Sequence, residues 1–375
     1  MKIVYDQNIP YAAAFFGGLG ELFPCDGRCL SAGEVKDADV LLVRSVTPVN
    51  ERLLAGSRVG FVASATIGTD HVARDWLQQA GIGFANAPGC NAESVADYVV
   101  AALLQLAEGD LEVLRQRRAG VVGVGNVGTR VASRLEALGV ECLRCDPPRA
   151  EREHGGFVDI DTLLDACDLV CLHTPLTSNG KHPTRHLIGK SRLAGLRHGS
   201  WLLNAGRGAV IDNAALAQVL DQRDDLRLVL DVWEPEPAVN PQLVPRVEIA
   251  TPHIAGYSDE GRSRGTEMIY QALCAHLGVE PGVRLDQLQP PAPALNLSGS
   301  EQRLAWQAVR SSYAIVEDDR RFRRMVAAGE LPAGFDRLRR DYPGRREFSR
   351  HQVVGCGPEH PEFGVLGALG FQLPR

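Results

Sequence analysis

Short apolar runs alternate with amphipathic stretches along the first part of the chain. Lys2–Tyr5, Val40–Arg44, Val59–Ala65 and Ile82–Asn86 are continuous hydrophobic segments bounded by turn formers, and they read as strands. Tyr11–Leu19, Glu51–Leu54 and His71–Ala80 space their apolar residues as helices do. After Pro88-Gly89 a longer helix is expected from about Glu93 to Glu108, joining two domains. The alternation then resumes. The apolar run Val121-Val122 precedes a helix whose Val127, Val131, Leu135 and Leu138 share one face, and Gly139 is placed to end it. Strands follow at Glu141–Cys145, Leu169–His173, Ser200–Asn204 and Leu226–Asp231, with helices at Asp161–Ala166, near Arg192–Leu196 and at Ala214–Asp221. Strand–helix alternation of this kind predicts parallel sheets covered by helices, with ligands gathered at the carboxyl ends of the strands. A further helix, Glu260–Leu277, is expected to cross back to the first domain, and the proline-rich stretch Pro281–Pro293 reads as a linker to a small third domain.

One turn in this pattern carries specific chemistry. Gly123, Gly125 and Gly128 form G-x-G-x-x-G between the run Val121-Val122 and the helix from Val127. The first glycine allows the tight turn, the second lets a pyrophosphate reach the backbone, and the third lets helix and strand pack closely. The pyrophosphate would rest on the helix N-terminus. Asp146 closes the next strand, about 18 residues after the third glycine, where a carboxylate accepts hydrogen bonds from an adenosine ribose. It would repel a 2′-phosphate, so NAD is expected rather than NADP.

Composition narrows the setting. The chain has 375 residues, 45% of them hydrophobic and 23% charged, which is enough for two or three ordinary globular domains. A net charge of -6 speaks against a general nucleic-acid binder. No signal peptide and no apolar run of membrane-spanning length is visible, so a cytoplasmic protein is expected. The nine cysteines lack a repeating spacing and read as reduced core residues. Cys142 and Cys145 have C-x-x-C spacing, but residues three apart on a strand face opposite ways, and no metal site is expected.

Polar groups cluster after the predicted strands: Arg44-Ser45, Thr66 with Gly68-Thr69-Asp70, His173-Thr174-Pro175, Asn204 to Gly208, Asp231 to Pro237, and Thr251-Pro252-His253. Hydride transfer to NAD needs a group that takes a proton and a cation that holds the substrate. His253 offers an imidazole that can take and return a proton, an acid such as Glu236 would fix its tautomer, and Arg207 offers a planar fork for a carboxylate. On residue type alone, each of the three has an equally ordinary reading as a loop or surface residue. Ser45, Thr66 and Asp70 could equally be turn and cap residues. The many C-terminal arginines, Arg310 to Arg346, interleaved with acids, read as a solvated surface laced with ion pairs.

Taken together, Gly123-x-Gly125-x-x-Gly128, His173-Thr-Pro-Leu-Thr177, Asn204-Ala-Gly-Arg207-Gly208, Asp231-Val-x-x-x-Glu236-Pro237 and Thr251-Pro-His253-Ile-Ala-Gly256 resemble the D-isomer-specific 2-hydroxyacid dehydrogenase family. The resemblance spans about two thirds of the chain, with the motifs in family order. It implies an α/β protein with a Rossmann-type doubly wound NAD domain (93–256), a flavodoxin-like, discontinuous substrate domain (1–92 with 257–280) and a small C-terminal α+β dimerisation domain (286–375). It implies Arg207, Glu236 and His253 as the catalytic set, with Glu236 preferred over Glu234 by its spacing from Asp231. It further implies that Asn126, Val127, Asp146, Thr174, Gly206, Asp231 and Gly256 join the glycines, Arg207 and Gly208 at the cofactor, and that Ser45, Thr66 and Tyr257 contact substrate. The short link before the glycine turn, the opening MKIVYDQNIP, Leu-Leu-Val-Arg44-Ser45-Val-Thr47 and the long C-terminal extension are similar to a branch that oxidises a phosphorylated hydroxy acid and forms homodimers. For that branch a patch of Leu304, Trp306, Val309, Tyr313, Ile315 and Val316 is expected at the dimer contact. A dehydrogenase for another 2-hydroxy acid, such as glycerate or 3-phosphoglycerate, is the nearest alternative, and an NAD-sensing binding protein on the same fold is a more distant one.

Overall fold

Two parallel sheets carry the alternation seen in the sequence. A computed structural model describes residues 1–298 and 303–374, and it divides into two units: residues 1–91 with 258–291, and residues 92–257 with 292–375.

In the first unit, strands β1 (Lys2–Asp6), β2 (Glu21–Cys25), β3 (Val40–Val43), β4 (Phe61–Ser64) and β5 (Gly83–Asn86) are ordered β2-β1-β3-β4-β5, all parallel, with Ile3 opposite both Leu22 and Val40. Strand β2 was not expected. Pro24 lies within it, and a proline is tolerated because β2 is an edge strand. β3 and β4 are apolar throughout because both sheet faces are covered. Ile3, Leu42 and Ala63 pack on Phe15, Phe16, Ile269, Tyr270 and Leu273, while Val4, Leu41 and Val62 pack on Leu53 and Leu77. The returning helix, Asp259–Leu277, therefore belongs to this unit, capped by Ser258 and ended by Gly278 at φ 69°. The helix expected at His71–Ala80 is only Arg74–Gln79, because Val72 pairs with Val49 as a parallel bridge.

In the second unit, β6 (Arg118–Val122), β7 (Glu141–Cys145), β8 (Leu169–Leu172), β9 (Trp201–Asn204), β10 (Arg227–Leu230) and β11 (Ile249–Ala250) run in the order β11-β10-β9-β8-β6-β7, again all parallel. The strand order reverses between β6 and β8, and the crevice at their carboxyl ends is where such sheets bind ligands. Helix Ala92–Leu106 is buried on nearly every side, against helix Asn126–Ala137 and the C-terminal helix Leu304–Ser312. It is a core helix of this unit as well as the start of it.

The C-terminal segment adds helices Leu304–Ser312, Ile315–Ala327, Ala333–Arg340 and Phe363–Ala368, and pairs Leu295–Asn296 with Val353–Val354. The stretch expected as a C-terminal domain, 286–375, shares its packing with the second unit. Val309, Tyr313, Phe348 and Phe371 share one core with Tyr98, Leu103 and Leu135, and Phe322 and Phe335 share another with Trp233 and Val247. The patch expected at a dimer contact is corrected: Leu304, Val309, Tyr313 and Ile315 are buried within the chain's own core.

Candidate active site

The glycine turn lies at the reversal point, and each glycine answers to a different neighbour. Gly123 has φ 83° and donates its N–H to the Cys145 carbonyl at 2.8 Å; a Cβ there would stand 2.8 Å from the Thr174 backbone nitrogen. A Cβ at Gly128 would overlap the Gly123 carbonyl. At Gly125 a Cβ would meet no protein atom within 4 Å, so the space beside the turn is open where a ligand would approach. Asn126 and Val127 begin the helix, and their N–H groups have no carbonyl in the preceding turn to bond.

Two residues after β8 face this turn with unspent polarity. The Thr174 hydroxyl and both ring nitrogens of His173 are buried and find no hydrogen-bond partner. Burial pushes the His173 pKa down to about 4, so the ring is neutral. Gly206 presses on the same strand end, its Cβ position 3.0 Å from the Thr174 carbonyl. Asp146 is less free than expected: one oxygen accepts the Val124 N–H at 2.8 Å and the other the Arg149 N–H at 3.1 Å, capping Pro147–Ala150. It ties the glycine turn to the end of β7, leaving each oxygen one lone pair for a ribose. Open space at Gly125, free helix N–H groups and orphaned buried polar atoms together fit NAD.

The catalytic candidates come from three loops that end β9, β10 and β11. Asn204 braces the first loop: its amide donates to the Arg207 carbonyl at 3.0 Å, and its carbonyl accepts the Gly206 N–H at 3.1 Å. A Cβ at Gly208 would overlap the Trp233 carbonyl, so glycine is needed for this loop to lie backbone to backbone on the second. Asn213, which the sequence reading missed, ties them further, accepting the Glu234 N–H at 3.2 Å and donating to the Ile211 carbonyl at 2.9 Å. The second loop is joined to the third by Trp233, whose indole N–H donates to the Thr251 carbonyl at 2.9 Å.

At the meeting point, His253 Nδ1 lies 2.7 Å from Glu236 Oε2, while Glu236 Oε1 accepts the Trp233 N–H at 2.9 Å. Burial works against a charge on Glu236, yet the His253 ring, its hydrogen bond and the Trp233 N–H outweigh it and hold the carboxyl below its usual range. His253 adopts φ 59°, a conformation uncommon outside glycine, which its loop enforces. With Nδ1 committed to Glu236, Nε2 is the atom left to exchange a proton with a substrate. Glu234, the competing acid, is engaged by His186 at 2.8 Å and by Arg185 at 3.0 Å.

Asp231 also braces the loop that carries His253. It is buried, and its carboxylate accepts the Thr251 hydroxyl at 2.7 Å and the N–H groups of Ile254 and Ala255 at 2.8 and 2.9 Å. Because Thr251 donates to Asp231, the buried Tyr98 hydroxyl, 2.8 Å away, donates to Thr251. Asp231 thus shapes the His253 loop from beneath; Oδ1 takes two of these bonds and Oδ2 one, so Oδ2 keeps a lone pair. Arg345 supports the same loop from the C-terminal segment. It is buried, donates to the Ala255 carbonyl and to the Ser94 carbonyl, and stands 4.1 Å over the Tyr313 ring. Arg323 likewise donates to the Val244 carbonyl at 2.8 Å, so the C-terminal arginines are not all solvated ion pairs. Gly256 and Tyr257 follow the loop, and Tyr257 meets Tyr342 edge to face at 5.8 Å. In the first unit, Ser45 is exposed after β3, and Thr66 after β4 is hydrogen-bonded to Ser64 at 2.8 Å, which in turn reaches His71 at 3.1 Å.

Comparison with known proteins places this geometry. Residues 104–255 match the family model of the D-isomer specific 2-hydroxyacid dehydrogenase, NAD binding domain, and residues 288–370 match a domain of unknown function. The chain is 52% identical to an erythronate-4-phosphate dehydrogenase of Azotobacter vinelandii over 99% of both chains, and 50% identical to one of Chromohalobacter salexigens over 94% of both. Among solved structures it resembles an NAD+-bound 3-phosphoglycerate dehydrogenase of Entamoeba histolytica, with TM-score 0.62 and 25% identity over 76% of this chain and 98% of the other. A D-lactate dehydrogenase of Aquifex aeolicus shares the fold, with TM-score 0.60 and 23% identity over 74% and 96%.

Proposed function

The chain belongs to the erythronate-4-phosphate dehydrogenase family, and from that premise we propose that it oxidises 4-phospho-D-erythronate to 2-oxo-3-hydroxy-4-phosphobutanoate in pyridoxine 5′-phosphate biosynthesis. The observation that carries this reading is the hydrogen bond between His253 and Glu236 beside the loop that presents Arg207. When bound, NAD accepts the hydride from C2 of the substrate. The residues of this chain do the rest. His253 Nε2 takes the proton of the 2-hydroxyl, Glu236 holds the ring in the tautomer that can accept it, and Arg207 grips the C1 carboxylate with its two-point fork. The glycine turn and the N–H groups of Asn126 and Val127 hold the pyrophosphate, Thr174 and Gly206 line its path, and Asp146 takes the ribose. Ser45, Thr66 and Tyr257 are assigned to the substrate.

The test is NADH formation with 4-phosphoerythronate, erythronate, glycerate and 3-phosphoglycerate. The phosphorylated four-carbon acid should have the highest kcat/KM. A preference for glycerate or 3-phosphoglycerate would move the protein to another 2-hydroxy acid. We assign the protein to the cytoplasm as a homodimer that associates through its C-terminal segment. No helix among the described residues is long and apolar enough to cross a membrane. Sedimentation of the full chain as a monomer at micromolar concentration would refute the dimer.

A further inference from the structure

Helix Ala333–Arg340 places three arginines in its last turn, and they do not behave alike. Arg337 pairs with Glu330 and Arg340 with Asp341, both at the exposed surface. Arg339 turns inward. Its side chain is 18% exposed, and its guanidinium carbon stands 5.7 Å from the ring centre of Tyr257 and 5.9 Å from that of Phe335. Its ion pair with Asp336 spans 4.0 Å, and its Nε is buried without a hydrogen-bond partner. Its charge is felt at Glu236, the carboxylate that holds His253.

A guanidinium carries five donors. The Tyr257 hydroxyl and Asp336 engage part of that capacity, and the faces of two aromatic rings satisfy none of it. Phe335 and Tyr257 hold this one in place, where its charge acts on the Glu236 carboxylate, with donor capacity left over. That is the arrangement of a receptor for a planar or tetrahedral oxyanion. A 4-phosphorylated hydroxy acid has two anionic ends. Arg207 takes the carboxylate beside the reacting carbon, and the phosphate calls for a second cation. We propose that Arg339 receives the substrate phosphate, so that the C-terminal segment supplies the selectivity for a phosphorylated acid; this rests on the reading of the substrate given above.

The experiment uses full-length Arg339→Gln and Arg339→Lys. For the Gln variant, the ratio of kcat/KM for 4-phosphoerythronate to that for erythronate should fall about 10- to 100-fold, mainly through KM, since a charge-assisted contact present in both ground and transition states is lost. The Lys variant should lose less, because a point charge remains. Calorimetric binding of inorganic phosphate to the NAD-loaded protein should weaken in the Gln variant by a similar factor. Equal losses for the two substrates, or unchanged phosphate affinity, would overturn the assignment and leave Arg339 as packing for Tyr257. A wild-type protein that binds phosphate through Arg339 yet does not oxidise 4-phosphoerythronate would defeat the function proposed above while supporting this site. Should Arg339→Gln fail to fold, the Lys variant and phosphate binding still decide.

Discussion

Replacing Glu236 by Gln preserves shape and removes one acceptor, and the hydrogen bonds around it determine the consequence. The carboxylate spends one oxygen on the Trp233 N–H at 2.9 Å and the other on His253 Nδ1 at 2.7 Å. A carboxamide has one oxygen and one NH2. If its oxygen stays with Trp233, its NH2 faces His253 and requires Nδ1 to be the acceptor. The proton then sits on Nε2, and that tautomer cannot take the substrate's hydroxyl proton. If the amide turns over, the NH2 opposes the Trp233 N–H, leaving a buried donor without a partner at about 1–3 kcal/mol and pulling on the loop that carries Glu236. Both arrangements also lose a charge-assisted bond that favours the imidazolium formed as the proton arrives.

The expected loss in kcat/KM for oxidation lies between about 100- and 10,000-fold, the upper end being that of a catalytic histidine locked in its wrong tautomer. The dissociation constant of NAD should not change, since none of these atoms belongs to the glycine turn. The assay is initial-rate NADH formation across pH, with NAD binding by fluorescence titration. Oxidation needs His253 free of its proton, so wild-type activity should fall on the acid side. A Glu236→Gln enzyme within about threefold of wild type would show that the carboxylate does not set the tautomer and would refute the reasoning; the ring would then be oriented by its loop alone.

His173 is neutral in the folded state at a pKa of about 4 against 6.5 when exposed, so it is protonated first in the unfolded chain. Its stability contribution is intact above about pH 6.5 and is lost as pH falls toward 4, by up to about 3 kcal/mol; His173→Leu should flatten urea-measured stability between about pH 7 and about pH 4.5, and an unchanged acid dependence would reject the effect. Asp146→Ala should narrow the preference for NAD over NADP and also cost about 1 kcal/mol of stability, because the side chain caps Pro147–Ala150; comparing kcat/KM for both cofactors with a melting curve checks both halves. Gly208→Ala should separate the Arg207 loop from Trp233, costing about 1–3 kcal/mol and most of the turnover, and a variant with normal Tm and kcat would contradict that packing.

Much of this site can be read along the chain because its parts are local. The glycine turn, the strand before it and the helix after it lie in one contiguous stretch, and G-x-G-x-x-G constrains backbone rather than distant partners. The family resemblance prefers Glu236 over Glu234 by its spacing from Asp231, and the two acids have different partners: Glu236 holds His253 and Glu234 holds His186. Long-range partners were not legible. Asn213 looks like an ordinary helix start, Tyr98 like one more apolar position in a buried helix, and Arg345 like one arginine among many. Each matters through an atom brought to it from far along the chain. The resemblance implies Asp231 at the cofactor, and the hydrogen bonds its carboxylate accepts from the Ile254 and Ala255 N–H groups are not legible in the sequence.

These distant contacts converge on one segment. The Thr251–Gly256 loop must hold His253 at φ 59° and keep Nδ1 on Glu236, and a short loop does not impose both by itself. Asp231 fixes it from the adjacent strand, Tyr98 from the buried helix through Thr251, Trp233 from the neighbouring loop, and Arg345 from the C-terminal segment through the Ala255 carbonyl. Four elements of a single unit therefore set the position of one imidazole. This explains why the C-terminal residues are packed into the nucleotide unit's own core rather than appended to it: a separately folded body on a linker would leave the Ala255 carbonyl and the Ser94 carbonyl without the Arg345 that now serves both.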